Sequence, residues 1–146
     1  MEPIRYATKD DLARIAEIEI FNYRLNFYPI FQNDDFYFNE LQVPNVMERY
    51  RDVAEQILVY DDGAVKGFLW AEDGQVKKLF VEPVLHGKAI GSRLLEYAVR
   101  ECDARYLWAL EKNGRAIAFY RKHGFYLTGE RIPEEDTDEY LVRLAR

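Results

Sequence analysis

Gly87 and Gly91 bracket Lys88, Ala89 and Ile90 within the stretch Lys77 to Leu95, KKLFVEPVLHGKAIGSRLL, and that spacing suits anion binding. Leu79 and Val81 alternate with Lys78 and Phe80 as in a strand, and Pro83 ends it by removing an amide donor. Leu94, Leu95 and Ala98 follow at helical spacing. A glycine turn that opens into a helix leaves several amides without acceptors, and the helix dipole favours negative charge there. The amides of Gly87, Lys88, Ala89, Ile90, Gly91 and Ser92 are therefore expected to cradle a phosphate, although the same glycines also suit a plain tight turn. Two familiar phosphate loops are excluded. Gly91 is followed by Ser92-Arg93 rather than Lys-Ser/Thr, and no Gly-x-Gly-x-x-Gly run follows the first strand.

Downstream, Asn113 to Phe125 reads NGRAIAFYRKHGF, a short helix stopped by Gly124 and followed by a new apolar run. HGKAIG followed by this NxxAxxFYxxxGF pattern resembles the GNAT superfamily of acyl-CoA-dependent N-acyltransferases. The family loop is usually [RQ]-x-x-G-x-[GA]. Here His86 stands for the Arg or Gln, and Ala89 for a glycine. Neither change removes a backbone donor, but Ala89 adds a methyl and narrows the allowed dihedrals.

The resemblance implies acetyl-CoA as co-substrate, no metal, and an amine-bearing acceptor, either a small molecule or a peptide. It implies that the strand ending at Val81 and the strand from Tyr106 splay apart around the pantetheine arm. Backbone groups of Leu79, Phe80 and Val81 would then face the arm and the carbonyl, with His86 at the cofactor. Tyr120 would be the acid that protonates the departing thiolate, a task a phenol can perform because it stays protonated at neutral pH. The alternative for Tyr120 is plain helix packing. Asn113 would bond the pantetheine arm, cap the following helix, or do both. Some relatives place a glutamate base where this chain has Trp108. Glu72, Glu82 and Glu111 are nearby in sequence, but no base is assigned. A non-catalytic acyl-CoA-binding sensor is the alternative to an enzyme.

With 146 residues, 49% hydrophobic and 32% charged, the chain suits one domain, 1–146, with a sizeable core. A net charge of −6 without a basic run argues against nucleic acid as a partner. The one cysteine, Cys102, excludes an intramolecular disulfide and a cysteine-rich metal cluster. No stretch approaches a membrane span and no apolar signal core opens the chain, so a soluble, cytoplasmic protein is expected.

The elements that must position these residues follow from periodicity. Ile4 to Ala7 reads as a strand, and Thr8 with Asp11 caps a helix reaching Tyr23. Asn22 to Gln42 crowds Phe27, Tyr28, Phe31, Phe36, Tyr37 and Phe38 around Pro29, with Asp34 and Asp35 among them. These rings suit an acceptor-binding wall, core packing or a homodimer contact. Val46 to Gln56 suggests a second helix. A hairpin at Ile57–Tyr60 and Val65–Ala71, then strands at Tyr106, Phe125 and Glu139, complete a mixed, mostly antiparallel α/β sheet with helices on both faces, as in the GNAT fold.

Overall fold

Alternating apolar side chains reach both faces of one sheet, so helices must cover both. In the computed structural model, which describes residues 3–146, the strands are β1 (Ile4–Tyr6), β2 (Ile57–Asp61), β3 (Val65–Glu72), β4 (Gln75–Val81), β5 (Tyr106–Leu110), β6 (Tyr126–Pro133) and β7 (Tyr140–Ala145). Their order is β1-β2-β3-β4-β5-β7-β6. Only β4 and β5 pair in parallel, so the mixed, mostly antiparallel sheet is as the sequence predicts.

Helices α1 (Leu12–Asn22), α2 (Tyr28–Phe31) and α3 (Val43–Tyr50) precede the first hairpin, and α4 (Ile90–Cys102) and α5 (Gly114–Lys122) follow β4 and β5. Ile57, Val59 and Phe68 pack with Ile15, Ile18, Val46 and Tyr50 on one face. Leu58, Leu69 and Val76 pack with Leu94, Leu95 and Ala98 on the other. Gly67 lets α4 lie close on β3, since a Cβ there would stand 3.2 Å from Ile90 Cγ2 and 3.3 Å from Leu94 Cδ1.

One expectation needs correction. The helix predicted over Val46 to Gln56 starts at Val43 and stops at Tyr50, with a separate 3-10 turn at Ala54–Gln56. Pro44 lies inside its first turn, where the missing amide would have been unpaired anyway. The aromatic segment, for which the sequence predicts no element, is helical. Two π-helical turns, Tyr23–Phe27 and Asp35–Glu40, flank α2. Among the described residues no helix is long and apolar enough to cross a membrane.

The feature that builds a site is a failure of pairing. β4 and β5 meet only at Gln75–Tyr106 and Val76–Leu107, and beyond that the two strands diverge.

Candidate active site

The wedge between β4 and β5 exposes main-chain groups of one strand. Glu82 N–H donates to Lys66 O at 2.9 Å, and Gly67 stands opposite Val81, which fixes the alternation of the β3–β4 ladder. Leu79 and Val81 therefore turn their peptide groups away from β3, into the wedge, while those of Phe80 join the ladder. The Val81 carbonyl is already taken. Asn22 Nδ2 donates to it at 2.8 Å and His86 Nε2 lies 3.1 Å away. The groups left for a ligand are both polar atoms of Leu79 and the amide of Val81.

The glycine turn opens α4 as predicted, with one surprise. Ala89 is the N-cap and adopts the left-handed region, φ 64° and ψ 12°. The first intrahelical bond runs from Arg93 N–H to Ala89 O at 3.0 Å, so the amides of Ile90, Gly91 and Ser92 precede it. Gly91 lies inside the first turn, and a Cβ there would make ordinary 3.6 Å contacts with Phe119 and Val81. Lys88 is exposed and its amide bonds Leu85 O at 3.2 Å, so it is not a free donor of the cradle.

Asn113 caps α5, its side chain accepting from Ala116 N–H at 3.2 Å. The cap uses Oδ1 and leaves Nδ2 for the wedge. Tyr120 is half-buried on the same helix, edge-on to Phe119 and Phe125. Burial pushes its phenol well above the ordinary range, so it is a proton donor throughout the neutral region.

Two cavities meet at the wedge. The smaller, about 430 Å³, is lined by the α4 turn, including Gly87, Ala89, Gly91 and Ser92, and by α5. The larger, about 730 Å³, lies toward α2 and the β6–β7 turn. Phe27, Leu79, Phe80, Asn113, Ala116 and Tyr120 line both. Their charges differ. Arg115 and Lys122 line the smaller cavity, and neither is ion-paired among the described residues. Glu40, Glu134, Glu135 and Asp136 line the larger one without ion pairs among the described residues, and the two lysines there, Lys77 and Lys78, are paired with Glu72 and Glu19. The acids of the β6–β7 turn carry no local signal of this placement, because only the fold brings them opposite the aromatic segment.

The aromatic segment both packs and lines. Tyr23, Phe27, Phe31 and Phe36 lean on the α1–α3 core and also form a wall of the larger cavity. Asp34 and Asp35 are engaged locally, with the Tyr28 hydroxyl and with Asn39 Nδ2, and do not line that cavity. The three acids close to the wedge in sequence are also occupied. Glu72 pairs with Lys77 at 3.3 Å, Glu82 with Arg14 at 2.7 Å and Glu111 with Arg131 at 2.9 Å. The Arg131 guanidinium holds the Glu111 carboxyl below the usual range. Trp108 lines the larger cavity and carries no basic atom.

A further acid lay hidden in the sequence. Glu19, fully buried on α1, accepts from Lys78 Nζ at 2.8 Å and from the Tyr50 hydroxyl. The Lys78 ammonium also sits over the rings of Tyr23 and Tyr50, at 5.4 and 5.3 Å.

A parallel strand pair that splays beside a helix opening on unpaired amides defines the fold of the GNAT N-acyltransferases. The chain belongs to the acetyltransferase (GNAT) domain family, whose sequence profile matches residues 53–127. It is 32% identical over 73 residues to the peptidyl-lysine N-acetyltransferase YjaB of Salmonella typhimurium, covering 50% of each chain. To the peptidyl-lysine N-acetyltransferase YiaC of Escherichia coli it is 29% identical over 86 residues, 58% of this chain and 59% of that one. The chain thus spans about half the length of the curated relatives it matches. The fold extends further. The solution structure of apo YjaB from Escherichia coli superposes at a TM-score of 0.74 with 21% identity, over 99% of this chain and 97% of the other. An N-acetyltransferase from Staphylococcus aureus superposes at 0.78 with 16% identity, over 98% and 99%.

Proposed function

We propose that residues 1–146 form one acetyl-CoA-dependent N-acetyltransferase domain, which acetylates a lysine ε-amine of a peptide by direct attack in a ternary complex. The observation that carries this reading is the junction at Tyr120 of two cavities, one whose free charges are cations and one whose free charges are carboxylates. The smaller fits a polyanionic co-substrate, with unpaired amides at Ile90, Gly91 and Ser92 and unpaired cations at Arg115 and Lys122. The larger fits an ammonium-bearing chain, with aromatic walls and four unpaired carboxylates. The relatives named as peptidyl-lysine acetyltransferases agree with a lysine acceptor, and a structural neighbour was solved with acetyl-CoA.

In this scheme the Leu79 main chain orients the thioester carbonyl, and the Asn113 amide holds the pantetheine arm. The deprotonated amine attacks the carbonyl carbon from the larger cavity and the C–S bond breaks. Tyr120 gives its proton to the departing sulfur, and the proton shed by the new amide nitrogen restores the phenol. With Glu72, Glu82 and Glu111 all ion-paired, the ammonium loses its first proton to solvent through the mouth of the larger cavity.

Free-thiol release is the direct assay, with acetyl-CoA and lysine peptides whose flanking residues are basic, neutral or acidic. Turnover should be fastest on the basic peptides. Neutralising Glu134, Glu135 and Asp136 together, as Gln, Gln and Asn, should raise KM for them roughly three- to tenfold with kcat retained. Co-substrate binding without turnover on any amine would leave a binding module instead.

A further inference from the structure

His123 follows α5 and turns its ring toward the first turn of α4. Its Nε2 stands 2.9 Å from Ser92 Oγ and its Nδ1 stands 3.9 Å from Glu96 Oε1. The ring packs on Phe119 with centroids 4.7 Å apart, and the side chain is only 14% exposed. Ser92 lines the smaller cavity and also carries one of the amides that precede the first helical bond of α4. His123 is not part of that wall and reaches it only through the serine.

The hydrogen-bond direction between these two residues depends on a proton. The Glu96 carboxylate facing Nδ1 disfavours a lone pair there and favours N–H. In the neutral ring Nε2 is then the acceptor, so the Ser92 proton points at His123 and the serine oxygen offers only lone pairs to the cavity. Protonating the ring puts a hydrogen on Nε2 and reverses the bond. The Ser92 O–H is then free to donate into the cavity. The charged group facing the ring is Glu96 from α4, and the two residues before it in sequence are Arg121 and Lys122. Lys122 lines the cavity itself.

We propose that His123 is a positioning residue for the phosphates of acyl-CoA: in its protonated form it turns the Ser92 hydroxyl into a donor to a phosphate oxygen, so binding takes up a proton. This rests on the reading of the smaller cavity as the acyl-CoA site. It assigns a role to a position that the family pattern leaves open, and it makes co-substrate affinity greater at the lower pH.

The test is calorimetric titration of the wild-type chain with coenzyme A at pH 6 and pH 8, beside His123→Gln and Ser92→Ala. Glutamine keeps a hydrogen-bonding group but does not titrate, and Ser92→Ala leaves the histidine in place. Protonation of the ligand's own phosphates is common to all three proteins and cancels between them. The wild-type ratio of affinities, pH 6 over pH 8, should exceed that of either variant by roughly tenfold, about the worth of one charge-assisted hydrogen bond. At pH 7, titrations in buffers of different ionisation enthalpy should show proton uptake by the wild type beyond that of the variants. The same ratio in all three proteins overturns the role of His123. No binding by the wild type at either pH overturns the acyl-CoA reading beneath it.

Discussion

The buried side-chain amide of Asn22 joins the last turn of α1 to the carbonyl of Val81, at 2.8 Å, where β4 has already parted from β5. The same Nδ2 donates to Ile18 O at 2.8 Å, and His86 takes the second lone pair of the Val81 carbonyl. A strand end that has lost its neighbour is thus held by two side chains, and the Leu79 peptide groups are aimed by that fixation.

Asn22→Ala removes a buried donor and leaves two carbonyls short of a partner. It should cost about 1–3 kcal/mol of stability. Co-substrate affinity should fall with it, because the strand end that carries Leu79 loosens. Urea unfolding and calorimetry of the same preparation measure both, and a variant with wild-type affinity would show that this tether does not aim the wedge.

Ala89 offers a gain. Its left-handed backbone costs an alanine about 1–2 kcal/mol that a glycine does not incur, offset in part by the greater freedom of an unfolded glycine. Ala89→Gly should therefore raise stability by about 0.5–1 kcal/mol, a Tm increase of roughly 1–4 °C for a chain of this size. A drop in Tm would mean that the turn does not hold this conformation in solution.

Much of this was legible in the sequence, and the reasons for what was missed are specific. Period-two runs and glycine turns marked the strands, and the resemblance carried by the two motifs singled out Tyr120 and the α4 turn. The divergence of β4 from β5 has no local signal, because it depends on which residues fail to pair. Glu19 was missed although it shares the buried face of α1 with Ile15, Ile18 and Asn22, where an acid is legible as buried only once its partner is known. That partner, Lys78, comes from a strand 59 residues away. Glu134 to Asp136 carry no local signal of a place at the cavity, because the opposing aromatic wall is remote in sequence.

The Glu19–Lys78 pair predicts an asymmetry. Lys78→Met leaves a fully buried carboxylate with only the Tyr50 hydroxyl, and should cost about 2–4 kcal/mol, somewhat under the range for a wholly buried pair because Lys78 is partly exposed. Adding Glu19→Gln to that variant should recover part of the loss. Chemical denaturation of the wild type, both single variants and the double variant gives the coupling, and additive losses would show that the pair is not energetically joined.

Acid stability turns on Asp11. The Arg5 guanidinium bonds both of its oxygens, at 2.8 and 3.0 Å, and holds its pKa below the ordinary carboxylate value. The native state therefore prefers the ionised form more than the unfolded chain does. The resulting stabilisation is fully present above the unfolded value near 4 and is lost as pH falls through the lowered native value. Arg5→Gln, which also breaks the 2.9 Å pair by which Arg5 lowers the Asp61 carboxyl, should lower stability at pH 6 and have a shrinking effect as pH falls below 4. A difference that stays constant with pH would assign the loss to packing instead.

The mechanism rests on Tyr120, whose side chain lies where the two cavities meet. Phenylalanine keeps the ring and its edge-on contacts with Phe119 and Phe125, and deletes only the hydroxyl. No side chain or main-chain group of the described residues bonds that hydroxyl, so its removal leaves no protein partner unsatisfied and the melting temperature should hardly move. If the phenol protonates the departing thiolate, Tyr120→Phe should lower kcat by roughly ten- to a thousandfold, with co-substrate affinity changed little. A tyrosine that only packs α5 against the sheet forecasts the reverse, a small loss of stability with turnover retained. The pH profile adds a second readout. Burial raises the phenol above its ordinary range, so the wild type should keep this acid through the whole neutral and mildly alkaline region. Steady-state kinetics on the best lysine peptide from pH 6 to 10, with melts of both proteins, separates the two accounts. Wild-type turnover in the phenylalanine variant would falsify the acid role.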